Sequence, residues 1–419
     1  MIDGGHSRAS MSILPGDVYT PRGLAMSKPS ICFYKKEKKM KQGKTMEELG
    51  KELQRQRAAR KDFITDTRQI QFHTDYDGHS QLIIPNVNVA VNGISTNSTY
   101  EISELAHRQI ATRLGIPFKY YQKMQNLAPD LLDRNVSNWF WQTPEKRMLR
   151  TLDGRLRAFL SDRYRRLDNL ELCLAVLPVI KEMPDAEIVS CEVTEGNLYL
   201  KIINKAIQAE VKPGDVVQAG FVVSNSEVGL GSLRVEPLVY RLVCSNGLIV
   251  NDYGQKKYHV GRQVKAEAES YELYSDETME QDDKTFFMKT RDIVRAAANE
   301  AQFQMIVDKL KDTTHIPLAA EPMTAVKELS DRFQLNEEEQ KAILQNLFIG
   351  GDHTQYGLLN AVTATANHTE NYERATLLER IGGNLLDFST TSKRKPAKLK
   401  RVNEGNKIPW GPIENVVDL

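Results

Sequence analysis

The chain has 419 residues, of which 41% are hydrophobic and 26% charged, ordinary globular proportions in a length beyond the roughly 250–300 residues at which single cores stop growing. Its 56 Lys and Arg against 55 Asp and Glu leave a net charge of +1, so bulk charge is excluded as a source of nucleic-acid affinity and any such affinity must come from local clusters. No apolar run approaches the ~20 residues that cross a bilayer, and Cys32, Cys173, Cys191 and Cys244 form no CxxC pair, which signals neither a disulfide framework nor a zinc site and fits a reducing cytosol.

Residues 1–44 read as a disordered or non-native extension, mixing Gly, Ser, Pro and His without periodicity or a signal-peptide core. Lys35-Lys36-Glu37-Lys38-Lys39 stands before Met40. Its purine-rich codons can spell a ribosome-binding site, so a start at Met40 and a solvated basic tail on a Met1 start both stay open. Residues 45–145 read as a helical and small-β subdomain. Thr45 with Glu48 makes a capping box for a helix to about Lys61. Strand-like text over 69–91 turns at Tyr76-Asp77-Gly78, and helices begin after Ser103, at Pro117 and at Pro129, with Gly115 as a stop.

Residues 146–265 read as an antiparallel α+β core. Asp153-Gly154 is a two-residue hairpin turn between 148–152 and 155–160. A regular register pairs Leu152 with Arg155, Arg150 with Arg157 and Met148 with Phe159 on one face, leaving Leu149, Thr151, Leu156, Ala158 and Leu160 on the other. A helix from about Asn169 to Met183 and strands at 188–194, 198–203, 216–224 and 232–243 complete an antiparallel meander. Residues 280–388 are helical by pattern, with segments near 280–312, 322–334, 336–348, 356–368 and 371–386, and 389–419 form a disordered basic tail. The fold class is therefore α+β: an antiparallel meander with flanking helices, followed by a helical C-terminal part.

Leu160-Ser161-Asp162-Arg163-Tyr164-Arg165-Arg166-Leu167-Asp168-Asn169, the SNSEVG run from Ser224 to Gly229 and the VCSNG run from Val243 to Gly247 resemble a phage- and plasmid-encoded family, the domain of unknown function family nine-hundred-and-thirty-two. The resemblance runs from about Gly43 to Leu386. It implies a phage or plasmid context in the cytoplasm of a bacterial host cell and carries no reaction with it. A helix followed by a meander is also similar to phage single-strand annealing proteins, a likeness of fold only.

Arg150 opposite Arg157 is the sharpest chemical feature, because like charges across strands destabilise a hairpin unless something negative neutralises them. Nucleic-acid phosphate is one answer, bound by Arg150, Arg155, Arg157, Arg163, Arg165 and Arg166, with Phe159, Tyr164, Trp139 and Trp141 as stacking platforms. An internal ion-pair network with Asp153, Asp162, Asp168 or Glu145 is the other. Residues 102–121 match helix-turn-helix spacing, which an ordinary helical hairpin also gives. Cys244 with Asn246 and His259, or His73 and His79 with Asp75 and Asp77, would serve a hydrolase or nuclease, yet neither set makes a known fingerprint. Gly43-Lys44-Thr45 lacks the earlier glycine of a phosphate loop, and Gly229-Leu230-Gly231 lacks the third glycine of a dinucleotide loop. The expectation is a nucleic-acid-binding accessory protein of a phage or plasmid, acting in DNA recombination or single-strand annealing, with no cofactor and no metal. A hydrolase or nuclease and an oligomeric scaffold, the latter a homo-oligomer packed through its helical part, are the alternatives.

Overall fold

A computed structural model describes residues 40–41, 43–89, 95–164, 166–250, 276–318 and 320–387. Helix α1 (Met46–Ala59) opens on the expected capping box: the Thr45 hydroxyl accepts from the Glu48 N–H, and the Glu48 carboxylate accepts from the Thr45 N–H at 2.8 Å. The helix stops earlier than the charged text implies. Lys61–Asp66 is a strand, β1, and it is followed by β2 (Gln71–Thr74), β3 (Ser80–Val89) and β4 (Ser95–Ile102). Helices α2 (Glu104–Arg113), α3 (Phe118–Leu127) and α4 (Pro129–Gln142) come next, then the hairpin of β5 (Lys146–Leu152) and β6 (Arg155–Ser161).

These strands form one six-stranded sheet in the order β1-β5-β6-β4-β3-β2, which draws on both sides of residue 145. All pairings are antiparallel except a short parallel contact between β4 and β6. Helices α2 to α4 supply the apolar cover: Ile110, Tyr121, Val136 and Phe140 share a core with Leu82, Tyr100, Leu149 and Phe159. Ala106, His107, Ile110 and Ala111 recur at helical spacing, so α2 presents a single buried stripe.

The second sheet is the meander foreseen in the sequence, with one strand more. After α5 (Asn169–Glu182), strands β7 (Ala186–Val193), β8 (Leu198–Lys212), β9 (Asp215–Asn225), β10 (Arg234–Arg241) and β11 (Asn246–Ile249) pair in consecutive order. Helices lie on both faces, which is why β9 is buried along almost its whole length rather than at alternate residues. On one side Leu49 and Leu53 of α1, Leu172 and Val176 of α5, and Phe286 of α6 (Asp276–Ala297) meet Leu200 and Phe221.

On the other side lie α7 (Glu300–Thr313), α8 (Pro322–Phe333), α9 (Glu337–Gly350), α10 (Gln355–Ala366) and α11 (Tyr372–Asn384), contributing Val307, Leu329, Ile343, Leu359 and Leu378 to a core with Val217, Val239 and Leu248. The single helix expected near 280–312 is two, because Asn299 caps α7 by accepting from the Gln302 N–H. Among the described residues no helix is long and apolar enough to cross a membrane.

Candidate nucleic-acid interface

The hairpin turn is as expected, with Asp153 and Gly154 at φ 52° and 76° and Leu152 opposite Arg155. Beyond it the regular register fails. The pairing shifts between Arg150 and Thr151, so Arg150 faces Ala158, Leu149 faces Phe159 and Met148 faces Leu160. Arg157 is the additional residue of a β-bulge and has no partner across the strand. The predicted Arg150–Arg157 and Met148–Phe159 pairs are thus corrected.

Both guanidinium groups turn inward, 2% and 7% exposed, and meet carboxylates. Arg150 reaches Asp168 at 2.6 Å and Asp62 at 3.2 Å, and donates to the Glu227 carbonyl at 2.9 Å. Arg157 donates to the Glu227 carboxylate at 3.3 Å and to the Glu195 carbonyl at 3.1 Å. Arg60 also lies 2.6 Å from Asp168. Three cations thereby face Asp62, Asp168 and Glu227, which removes the like-charge problem from within. Burial pulls the Arg150 guanidinium down, but Asp168 and Asp62 more than offset it and hold the group above its ordinary range.

Two of the segments that carry the family resemblance, the 160–169 run and SNSEVG, converge on this joint between the two sheets. Glu227 accepts from the Asn169 N–H at 2.7 Å. The Asn225 amide donates to the Leu167 carbonyl and to the Asn169 side chain, and the Tyr164 hydroxyl donates to the Ser226 carbonyl. Asp168 was among the counter-charges named from sequence. Asp62 and Glu227 were not, although Glu227 stands inside SNSEVG.

Other expected binding residues are spread out. Phe159 is 2% exposed and stacks on Phe140 with ring centroids 5.6 Å apart, which leaves no face for a base. Tyr164 is half-buried. Arg155 is exposed and lies 3.5 Å from Glu101. Arg163 and Arg166 are exposed and pair with no carboxylate among the described residues. Arg165 lies outside the described residues.

A basic corner forms where β5 begins and β6 ends, since Arg147 pairs with Ser161 in the ladder. It holds Arg163 just beyond β6 and the exposed Lys146 at the start of β5. Glu145 is shared there between Arg113 and Arg147. Only three residues separate β5 from the end of α4, which presents Trp139 and Trp141 at 42% and 66% exposure. The indoles were noticed in the sequence. Arg113, Lys146 and Arg147 were missed, though the Lys146-Arg147 pair opening a strand was the available signal.

The remaining candidates resolve into local structure. Asp75, Asp77 and His79 bring ligand-type atoms within 4.8 Å of one another, but Asp75 already accepts from the Asp77 and His79 N–H groups as a polar turn does, and His73 pairs instead with Asp133. Cys244 accepts at 3.2 Å from Arg241, whose other nitrogens hold Asp215, while the Asn246 amide is engaged by Thr363. His259 lies outside the described residues. Helices α2 and α3 sit against the sheet with His107 and Tyr121 hydrogen-bonded at 2.9 Å.

A family model described as Domain of unknown function (DUF932) matches residues 159–402, more than half of the chain, and includes both SNSEVG and VCSNG. No curated protein and no solved structure matches.

Proposed function

From the premise that the chain belongs to the DUF932 family, whose description assigns no activity, we propose that it is a nucleic-acid-binding accessory protein of a phage or plasmid that acts on DNA in recombination or single-strand annealing. The observation that supports this reading is the basic corner. Arg68, Arg113, Lys146, Arg147 and Arg163 surround Asp66, Glu145 and Asp162 there, a surplus of positive charge three residues along the chain from the end of α4, the helix that carries two exposed indoles. Cations that track phosphates and aromatic faces on which unpaired bases stack are the two parts of a single-strand site, each stacked base contributing about 1–3 kcal/mol. The load thereby moves from Arg150, Arg157 and Phe159, which are committed to the interior, to side chains that a strand can reach.

The test is binding of labelled single- and double-stranded oligonucleotides over a salt series. Lys146→Ala combined with Arg163→Ala is expected to weaken single-strand binding and to make the log affinity against log salt slope shallower by roughly 0.7 per lost contact. Trp141→Ala is expected to weaken it without changing that slope. Both variants should melt with the parent, because the side chains are exposed. Unchanged affinity in both would end the proposal.

A further inference from the structure

The two sheets have four edges, and three are closed. The β7 edge carries a strap, in which the Lys44 N–H donates to the Cys191 carbonyl at 2.8 Å. At the β2 edge the Thr74 N–H is taken by the Asp133 carboxylate of α4 at 2.9 Å. Strand β11 lies against α11 so closely that a Cβ on Gly383 would sit 1.9 Å from the Ile249 carbonyl oxygen. Among the described residues strand β1 has none of these devices. No described strand pairs with its outer side, and Ile64 at its middle is 58% exposed. An open edge of six residues, about 20 Å long, is a template for another strand.

The sequence of this edge selects its partner. Arg60 and Asp66, which flank the strand interior, are both extended, at φ −73° and ψ 140° and at φ −74° and ψ 136°, so the run from 60 to 66 is continuous extended chain. If a second copy pairs antiparallel across a twofold axis, both copies keep the same face up, and only residues of equal parity stand opposite one another. Three central registers satisfy this. One sets Asp62 against its own copy and one sets Asp62 against Asp66, like charge on like. The third, centred on Phe63, sets Arg60 against Asp66 at both ends, Lys61 against Thr65 and Ile64 against Asp62.

We propose that β1 is the dimerisation edge of this protein, joining two copies antiparallel about Phe63 into one continuous twelve-stranded sheet. The pairing covers Ile64 and satisfies the open backbone groups, and it involves no nucleic acid. Arg150, Lys146 and Arg163 are not on this strand, although its Asp62 and Asp66 belong to the Arg150 cluster and to the basic corner.

The full chain is measured by light scattering over a concentration series, with two substitutions at the exposed Ile64. Ile64→Asp places a carboxylate opposite Asp62 of the second copy and is expected to shift the dimer to monomer by at least tenfold in dissociation constant. Ile64→Lys removes the same apolar side chain but places an ammonium opposite Asp62, and is expected to retain more dimer than Ile64→Asp. Melting temperature checks that both variants are folded. A parent chain that is monomeric at every concentration, a dimer indifferent to Ile64→Asp, or equal loss in both variants overturns the proposal.

Discussion

Protonating His107 costs more inside the protein than outside it. The ring is buried on α2 and hydrogen-bonded to Tyr121 at 2.9 Å, and burial pushes its pKa down from 6.5 to about 4, with Glu104 opposing only weakly. A group whose folded pKa is depressed binds its proton more readily when unfolded, so its contribution to stability is complete above pH 6.5 and lost as pH falls towards 4. The drop corresponds to about 3 kcal/mol at full protonation. His107→Gln is expected to flatten the fall in melting temperature between those pH values. A variant that keeps the parent slope would place the acid sensitivity elsewhere. At this scale sequence reading succeeded where chemistry is local, as with the Asp153-Gly154 turn and the Thr45 cap, and failed where a partner comes from afar. The need for a counter-charge at Arg150 was legible, but Asp62 lies 88 residues away on a strand that the sequence pattern leaves unassigned between the first helix and residue 69.

Packing of α11 on β11 depends on having no side chain at one point. A Cβ on Gly383 would lie 1.9 Å from the Ile249 carbonyl oxygen and 2.8 Å from its carbon, both backbone atoms that no rotamer change can move. Gly383→Ala therefore forces the helix off the sheet and is expected to cost about 3 kcal/mol, despite alanine's better helix propensity; a denaturant midpoint at or above that of the parent would show that the helix can slide. Elements themselves were mostly readable. The caps at Ser103 and Asn336 and the stop at Gly115 placed α2 and α9 because such signals are short-range. Strands β1 and β4 were not read, since Lys61-Asp62 continues a charged helix in composition and Ser95–Tyr100 is polar. The hairpin register was missed because a bulge leaves no periodic trace.

At the scale of the whole molecule, Arg150 links the sheets by binding Asp62 of the first, Asp168 before α5 and the Glu227 carbonyl beyond β9. Removing one member of a buried ion pair leaves the others charged and unpaired, which costs more than the intact pair contributes. Arg150→Ala is expected to lower unfolding free energy by about 3–5 kcal/mol while leaving oligonucleotide affinity unchanged. Lost affinity at parental stability would return Arg150 to the binding surface. The 160–169 and SNSEVG segments of the family resemblance thus supply residues that hold the two sheets together.

The strap on β7 has a consequence for the order of events in folding. The Ser190 hydroxyl bonds to the Lys41 carbonyl, 149 residues earlier, and to the Tyr372 hydroxyl, 182 residues later, and Met40 packs over Gly247 beside Glu379. Contacts of such separation carry a large loop-closure entropy and form slowly. During synthesis the strap can meet β7 before α11 emerges, but the seam with α11 cannot close until Tyr372 has been made, so α11 is among the last elements to become protected.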